Sequence, residues 1–124
     1  MTDEIVLTLP DEQDFHDVAH LVVGGLAVRL NLTFDNLEDV QVALEGLLAG
    51  TGGDVTVAIR LGGDDGLVLS VGPFDCERLR AELEDDAHLG LGRVLATVTD
   101  GVEVEERGDG CWVELRKRVE RIPR

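Results

Sequence analysis

Apolar positions along the chain follow two different periods. They recur three and four residues apart from Phe15 to Leu30 and again from Leu37 to Leu48, which predicts two amphipathic helices. Short apolar runs, some of them alternating with polar residues, predict β-strands at residues 4–9, 55–59, 67–71, 102–104 and 112–119. Two further segments, residues 75–86 and 93–99, are compatible with helices.

Capping and turn residues set the predicted boundaries. Asp11 can cap the first helix, which ends near Asn31, and Thr33 or Asp35 can cap the second. Glycine-rich or proline-containing segments predict breaks and turns at residues 50–53, 62–66, 72–73 and 108–110. The resulting order, β-α-α-β-β-α-α-β-β, predicts a single domain over residues 1–124. Its expected fold is an α+β two-layer sandwich with helices on one face of a mixed, mostly antiparallel sheet.

The charge balance restricts the partners of such a domain. The chain carries 26 acidic and 11 basic residues, for a net charge of −15, so it repels nucleic acid and anionic lipid and favours basic partners. The basic residues gather at the C-terminal end, where they form either a solvated end or a docking arm: Arg116, Lys117, Arg118, Arg121 and Arg124.

The two cysteines, Cys76 and Cys111, match no metal or redox spacing, and we expect both as thiols in a reducing cytosol. Cys76 lies between Asp75 and Glu77, whose charges disfavour the thiolate, so we expect a small, partly buried apolar side chain. Cys111 and Trp112 are expected to pack. The acidic N-terminus is unlike a signal peptide and no apolar run approaches the roughly 20 residues of a membrane span, which favours a cytoplasmic protein.

Three stretches, in this order, resemble the histidine-kinase-type ATPase domain of the anti-sigma-factor serine kinases. They are the strand, helix and DVQVAL-containing helix of residues 7–44, the segment LVLSVGPFD at residues 67–75, and the glycine loop, short helix and hairpin of residues 89–119. The resemblance implies a Bergerat (GHKL) ATPase-like fold, ATP and Mg²⁺ bound between sheet and helices, dimerisation, and regulation of a sigma factor.

The second helix departs from that family at the residues that carry its chemistry. The family places a Glu that acts as base and, four residues later, an Asn that helps to hold Mg²⁺; the matching positions here are Gly46 and Gly50. Glu45 is one residue too early, and one residue turns a side chain by about 100° around a helix. Glycine neither binds a metal nor accepts a proton, so the sequence predicts a protein without catalysis and without a cofactor.

Two further motifs of the family are altered. Where the family has an Asp that accepts a hydrogen bond from adenine, this chain has Ser70, while Gly72 is retained. Gly90 and Gly92 can form a phosphate-binding turn before a short helix, although they stand one residue away from the family's glycines. These positions, with Glu45, Gly46 and Gly50, make up a degenerate nucleotide site.

A separate hypothesis starts from His16 and His20. Their i, i+4 spacing on a helix is that of a zinc site, with His88 as a conceivable third ligand, and would suit a zinc-dependent hydrolase. The alternative is two histidines at the surface or boundary of the first helix.

The interpretation that best fits all these features is a non-catalytic regulator of the anti-sigma-factor type, binding a sigma factor, an anti-anti-sigma domain or a second copy of itself. Val22, Leu26 and Leu30 of the first helix are assigned mainly to the core, with a dimer contact as their other use. An ATP-binding serine/threonine kinase with atypical motifs and the zinc hydrolase are the alternatives.

Overall fold

The computed structural model describes residues 4–10, 12–49, 53–61, 66–84 and 90–118. The strands are β1 (Glu4–Leu9), β2 (Val55–Leu61), β3 (Gly66–Phe74), β4 (Gly101–Arg107) and β5 (Gly110–Arg118). The helices are α1 (Gln13–Leu30), α2 (Phe34–Leu48), α3 (Cys76–Glu84) and α4 (Leu91–Val98). The element order is the predicted one.

The five described strands form one sheet in the order β1-β2-β3-β5-β4. All four neighbouring pairs are antiparallel, so the described sheet contains no parallel pair where a mixed sheet was expected. The edge strands are β1 and β4. The predicted two-layer α+β fold is confirmed.

The core lies between one face of the sheet and the helices. Val55, Val57 and Ile59 of β2 are buried, while Thr56 and Ala58 between them are partly exposed, as expected for a strand with one covered face. Helix residues such as Leu44, Leu47 and Leu95 complete the core. The other side of the sheet, which carries Thr56, Ala58, Ser70 and Glu114, is called the open face below.

Local signals fix the boundary between the first two helices. Asn31 adopts the left-handed conformation at φ 56°, and its amide donates to carbonyls in the last turn of α1. The Thr33 hydroxyl accepts a hydrogen bond from the Asn36 amide at 3.2 Å, so Thr33 is the cap of α2, with Asp35 in the first turn. The predicted cap Asp11 and most of the turns at residues 50–53 and 62–66 lie outside the described residues.

The predicted end of β3 at Gly72-Pro73 is wrong. The strand runs on to Phe74, with a register irregularity between Val71 and Phe74 that accommodates the proline. A cis peptide bond joins Gly72 to Pro73. None of the described helices has the length and hydropathy needed to cross a membrane.

The basic C-terminal segment is part of the sheet as far as the structure describes it. Arg116, Lys117 and Arg118 belong to β5, and Arg121 and Arg124 lie outside the described residues. Lys117 is only 13% exposed and its Nζ lies 2.9 Å from Oδ2 of Asp39 on α2. This residue is therefore neither a solvated end nor a free docking arm; it joins the sheet to a helix.

Candidate functional site

A cavity of about 490 Å³ opens where α2, α3, α4 and one end of the sheet meet. The residues that line it are Leu47, Gly53, Asp54, Pro73, Phe74, Asp75, Cys76, Arg78, Leu79, Glu82, Leu91, Asp109 and Gly110. The cavity lies between the sheet and the helices, which is where the resemblance predicts a nucleotide. It is the candidate functional site.

The charged lining of the cavity is mostly acidic and partly engaged in local structure. Four carboxylates face a single guanidinium, that of Arg78. Asp75 Oδ1 accepts from the Arg78 amide at 3.0 Å and thereby caps α3, while Arg78 pairs with Glu82 one turn later at 3.3 Å. Asp109 accepts from the Trp112 indole at 2.9 Å. This lining repels a triphosphate unless a cation accompanies it.

Gly46, which the resemblance matches to the catalytic Glu of the kinases, lies beside the cavity. A Cβ built there meets Leu91 Cδ1 at 3.2 Å, closer than ordinary contact. Leu91 lines the cavity and occupies the space that a longer side chain at position 46 needs. Its predicted companion Gly50 lies outside the described residues.

Gly92 has a packing role that its sequence context did not reveal. A Cβ at this position overlaps the carbonyl oxygen of Leu83, so the absence of a side chain lets α4 approach the last turn of α3. Gly90 is the residue before α4, in an extended conformation at φ −63°. The two glycines do stand at a helix start, as predicted, and Gly92 is in contact with α3 there.

Ser70 and Gly72 lie on the open face of the sheet, away from the cavity. Ser70 pairs with Glu114 across the strands and shares a depression with Arg60 and Arg107. A Cβ on Gly72 would come within 2.6 Å of the Trp112 ring, so this glycine makes room for the tryptophan. The structure therefore does not bring Ser70 together with Gly46 and Leu91.

The Glu45 side chain lies on a different side of α2 from Gly46, as the helical spacing predicted. It is exposed and lines a shallow groove between α1 and α2 together with His20 and Asp17. His16 is only 8% exposed, and His88 lies outside the described residues. Within the described part of the chain, no third His, Cys, Asp or Glu stands close enough to the two histidines to complete a metal site.

The expectation of two thiols is corrected by the structure. Cys76 and Cys111 form a disulfide with Cα atoms 5.1 Å apart, although 35 positions separate them in the sequence. The first residue of α3 is thereby joined to β5, at the wall of the cavity. The expected burial of Cys111 and Trp112 is confirmed, since they are 0% and 9% exposed.

Several cavity residues were not singled out from the sequence. Asp54, Asp75, Arg78 and Asp109 come from three separate segments, and only the fold brings them together. The one local signal was at Asp75, an Asp three residues before Arg78 at the start of a helix-compatible segment, which is the pattern of an N-cap.

The solvent side of α1 is apolar. Leu21 is 75% and Val28 77% exposed, Val18 is 40% exposed, and all three lie on the side opposite the core residues of the helix, with the exposed Gly25 between them. Val22 is partly buried, while the predicted Leu26 and Leu30 pack against the core. A helix that is apolar on both sides is usually covered on both.

Comparison with known proteins supports the resemblance. No family model matches the sequence. The chain is 28% identical over 142 residues to the serine-protein kinase RsbW of Halalkalibacterium halodurans, an alignment that covers 96% of this chain and 85% of that kinase.

Two solved structures have the same fold. The crystal structure of the RsbU and RsbW domains of a Mycobacterium tuberculosis protein matches with a TM-score of 0.71 and 16% identity, covering 98% of this chain but only 34% of that one. The SiaB–SiaC complex from Pseudomonas aeruginosa matches with a TM-score of 0.64 and 17% identity, covering 94% and 88% of the two chains. The predicted resemblance to the anti-sigma-factor serine kinases, in sequence and in fold, is confirmed.

Proposed function

We propose that this protein is a non-catalytic regulator of the anti-sigma-factor type that acts by binding a sigma factor or an anti-anti-sigma domain. The observation that carries the proposal is the apolar solvent side of α1, formed by Val18, Leu21 and Val28. Exposed apolar surface of this kind, rimmed by charge, is typical of protein interfaces. One neighbour in fold, SiaB, is itself found in a complex with another protein.

Charge indicates the chemistry of the partner. Asp14 and Asp17 are exposed on α1, and Asp35 and Glu38 are exposed on the neighbouring α2, whereas Arg29 is the one basic residue described on α1. Together with the net charge of −15, this favours a partner whose apolar contact residues are surrounded by Lys and Arg.

The cavity supports the absence of catalysis. Phosphoryl transfer requires a bound metal and a residue that positions the attacking group. At the position of the family's catalytic Glu, this chain has Gly46, with Leu91 packed against it. A carboxylate at this site therefore requires both a substitution and a displaced leucine.

The binding surface is tested with purified sigma factors and anti-anti-sigma domains from the same genome, by calorimetry. We expect one of them to bind, and Leu21→Asp or Val28→Asp to weaken that binding at least about tenfold, since a desolvated charge in an interface costs more than 1.4 kcal/mol. Val6→Asp, at a 55% exposed valine of β1 on the open face, is the matched control. Circular dichroism checks that all three variants fold.

The same variants distinguish the solvent side of α1 from the open face of the sheet as the binding surface. If Val6→Asp abolishes binding while the α1 variants bind normally, the open face is the interface and α1 is not. If no sigma factor or anti-anti-sigma domain binds the wild-type chain, the proposal fails.

The second candidate function is an ATP-dependent serine/threonine kinase. Two observations favour it: the cavity volume of about 490 Å³ suits a small-molecule ligand, and the RsbW relative is named a serine-protein kinase. We expect neither ATP nor ADP, with Mg²⁺, to raise the melting temperature, and no transfer of labelled phosphate to an anti-anti-sigma domain. A Mg²⁺-dependent shift with phosphate transfer would replace our proposal by this one.

We further propose that the protein is cytoplasmic, where transcription takes place, and that it forms a homodimer. The edge strands β1 and β4 each leave one side unpaired within the described sheet, which is a surface for association. Light scattering after size exclusion measures the mass directly, and a mass of 13.4 kDa would exclude the dimer.

A further inference from the structure

Three side chains of the metal-binding type meet beside the cavity, and the degenerate nucleotide site does not use them. Cys76 begins α3, Cys111 lies in β5, and Glu106 stands opposite Cys111 in the register of β4 and β5. Their ligand atoms all lie within 4.8 Å of one another. Within the described residues, this is the one set of three or more such groups at that spacing.

We propose that reduction of the Cys76–Cys111 disulfide converts this cluster into a binding site for a thiophilic divalent cation such as Zn²⁺. Thiolates and a carboxylate are ligands that Zn²⁺ accepts in protein sites, while Mg²⁺ and Ca²⁺ prefer sites made of oxygen alone. Two thiolates and one carboxylate supply three negative charges and leave the fourth tetrahedral position for water.

The conversion balances in atoms and electrons. Two molecules of a thiol reductant give up two electrons and two protons and become a disulfide, and the Sγ atoms of Cys76 and Cys111 receive them as two S–H groups. The cation then replaces both thiol protons, which are released to solvent. The disulfide and the metal site are therefore mutually exclusive states of the same two residues.

The spacing of Cys76 and Cys111 allows a cation to replace the disulfide. Zn–S bonds of about 2.3 Å at a tetrahedral angle place the two sulfurs about 3.8 Å apart. The backbones of Cys76 and Cys111 are held with their Cα atoms 5.1 Å apart, so side-chain rotation and a small displacement of the first turn of α3 are sufficient. At the start of α3, Cys76 is partly buried and Glu77 and Arg78 are exposed, so this end of the helix can move with little loss of packing.

A cation can reach the cluster from one side. Cys111 is fully buried and Cys76 partly so, whereas Glu106 is exposed at the edge strand. The Glu106 carboxylate now pairs with Arg80 Nη2 at 3.3 Å, with both side chains more than half exposed. Exposed ion pairs of this kind contribute little, so a divalent cation can displace Arg80.

The experiment is a titration of the chain with Co²⁺ and Zn²⁺ after reduction with a phosphine and removal of oxygen. We expect one cation per chain, with the near-ultraviolet absorption of thiolate-to-cobalt charge transfer, which Zn²⁺ abolishes by displacement. The disulfide form should bind neither cation. Cys76→Ser should remove most of the absorption, and Glu106→Gln should weaken binding at least about tenfold.

Glu103→Gln is the matched control. Glu103 is an exposed carboxylate on the same strand, but in the register of β4 and β5 it stands opposite Glu114, on the open face. The proposal is overturned if the reduced chain binds neither cation, if Cys76→Ser binds like the wild type, or if Glu106→Gln and Glu103→Gln bind equally well. Should reduction unfold the chain, refolding on one equivalent of Zn²⁺ supports the site, and failure to refold refutes it.

Discussion

Replacement of Gly92 by alanine tests whether the α3–α4 contact depends on this glycine. At an ordinary helix position this change stabilises the protein, because alanine favours the helix by about 1 kcal/mol relative to glycine. Gly92 lies in the first turn of α4, and a Cβ there overlaps the carbonyl oxygen of Leu83 in α3. The atom it meets belongs to a backbone and cannot rotate away.

The magnitude follows from two opposing contributions. Overpacking of a tight contact typically costs about 1–3 kcal/mol, and a backbone obstacle indicates the upper part of that range. After the gain in helix propensity, Gly92→Ala should lower the free energy of unfolding by about 1–2 kcal/mol. Gly25→Ala is the matched control, since Gly25 is a helical glycine of α1 with no atom within 4 Å of its built Cβ. Gly25→Ala should raise the free energy of unfolding by about 1 kcal/mol.

Urea denaturation followed by far-ultraviolet circular dichroism measures both variants against the wild type, and equal m-values show that the unfolding reaction is the same. Gly92→Ala should be less stable than the wild type and Gly25→Ala more stable, so that their free energies of unfolding differ by about 2–3 kcal/mol. A Gly92→Ala chain as stable as Gly25→Ala would show that α3 does not pack on α4 as described. The assignment of Gly92 to helix packing would then be refuted.

Three further substitutions test other contacts by the same assay. Gly46→Ala should stabilise by about 0.5–1 kcal/mol, because the neighbouring Leu91 side chain ends at the cavity and can move by a few tenths of an ångström; destabilisation would show that Leu91 is fixed. Lys117→Met should cost about 1–2 kcal/mol by breaking the partly buried pair with Asp39, and a stability equal to that of the wild type would show that the pair does not stabilise the fold. Thr33→Ala should cost about 1 kcal/mol through loss of the α2 cap, and no change would mean that the hydroxyl does not cap.

The elements that the sequence predicts well are those with local signals. The second helix has a Thr33 cap, an apolar stripe from Leu37 to Leu48 and glycines after it, and the structure has α2 at Phe34–Leu48. The order of strands and helices follows from the same kind of signal. These features depend on interactions within a few residues, and a single sequence contains them.

The cysteine pairing could not be predicted, because it depends on contacts across the fold. Cys76 and Cys111 are 35 positions apart, and each lies in an element of its own. They meet only because α3 packs on β5 at the place where β3 and β5 change register. The spacing of two cysteines in the sequence does not predict such a contact.

The two sides of α1 show a second limit of sequence patterns. Val22, Leu26 and Leu30 have helical spacing, but so do Val18 and Leu21, because this helix is apolar around most of its circumference. The pattern predicts the helix without saying which side faces the sheet. Only the burial of residues such as Ala19 and Val23, at 0% and 4% exposure, identifies the inner side and leaves Leu21 outside.

The contacts between α2, α3 and α4 support the proposal that this protein acts by binding and not by catalysis. Phosphoryl transfer requires a bound metal and a residue that positions the attacking group. Here a side chain at position 46 would meet Leu91, and a side chain at position 92 would meet the carbonyl oxygen of Leu83 at the end of α3. Packing contacts at Gly46 and Gly92 beside the cavity, together with the exposed apolar side chains of α1, favour a protein that acts through its surface. Binding of a partner on α1 should therefore continue when the cavity is changed, as in Gly46→Ala, and be lost when Leu21 is changed.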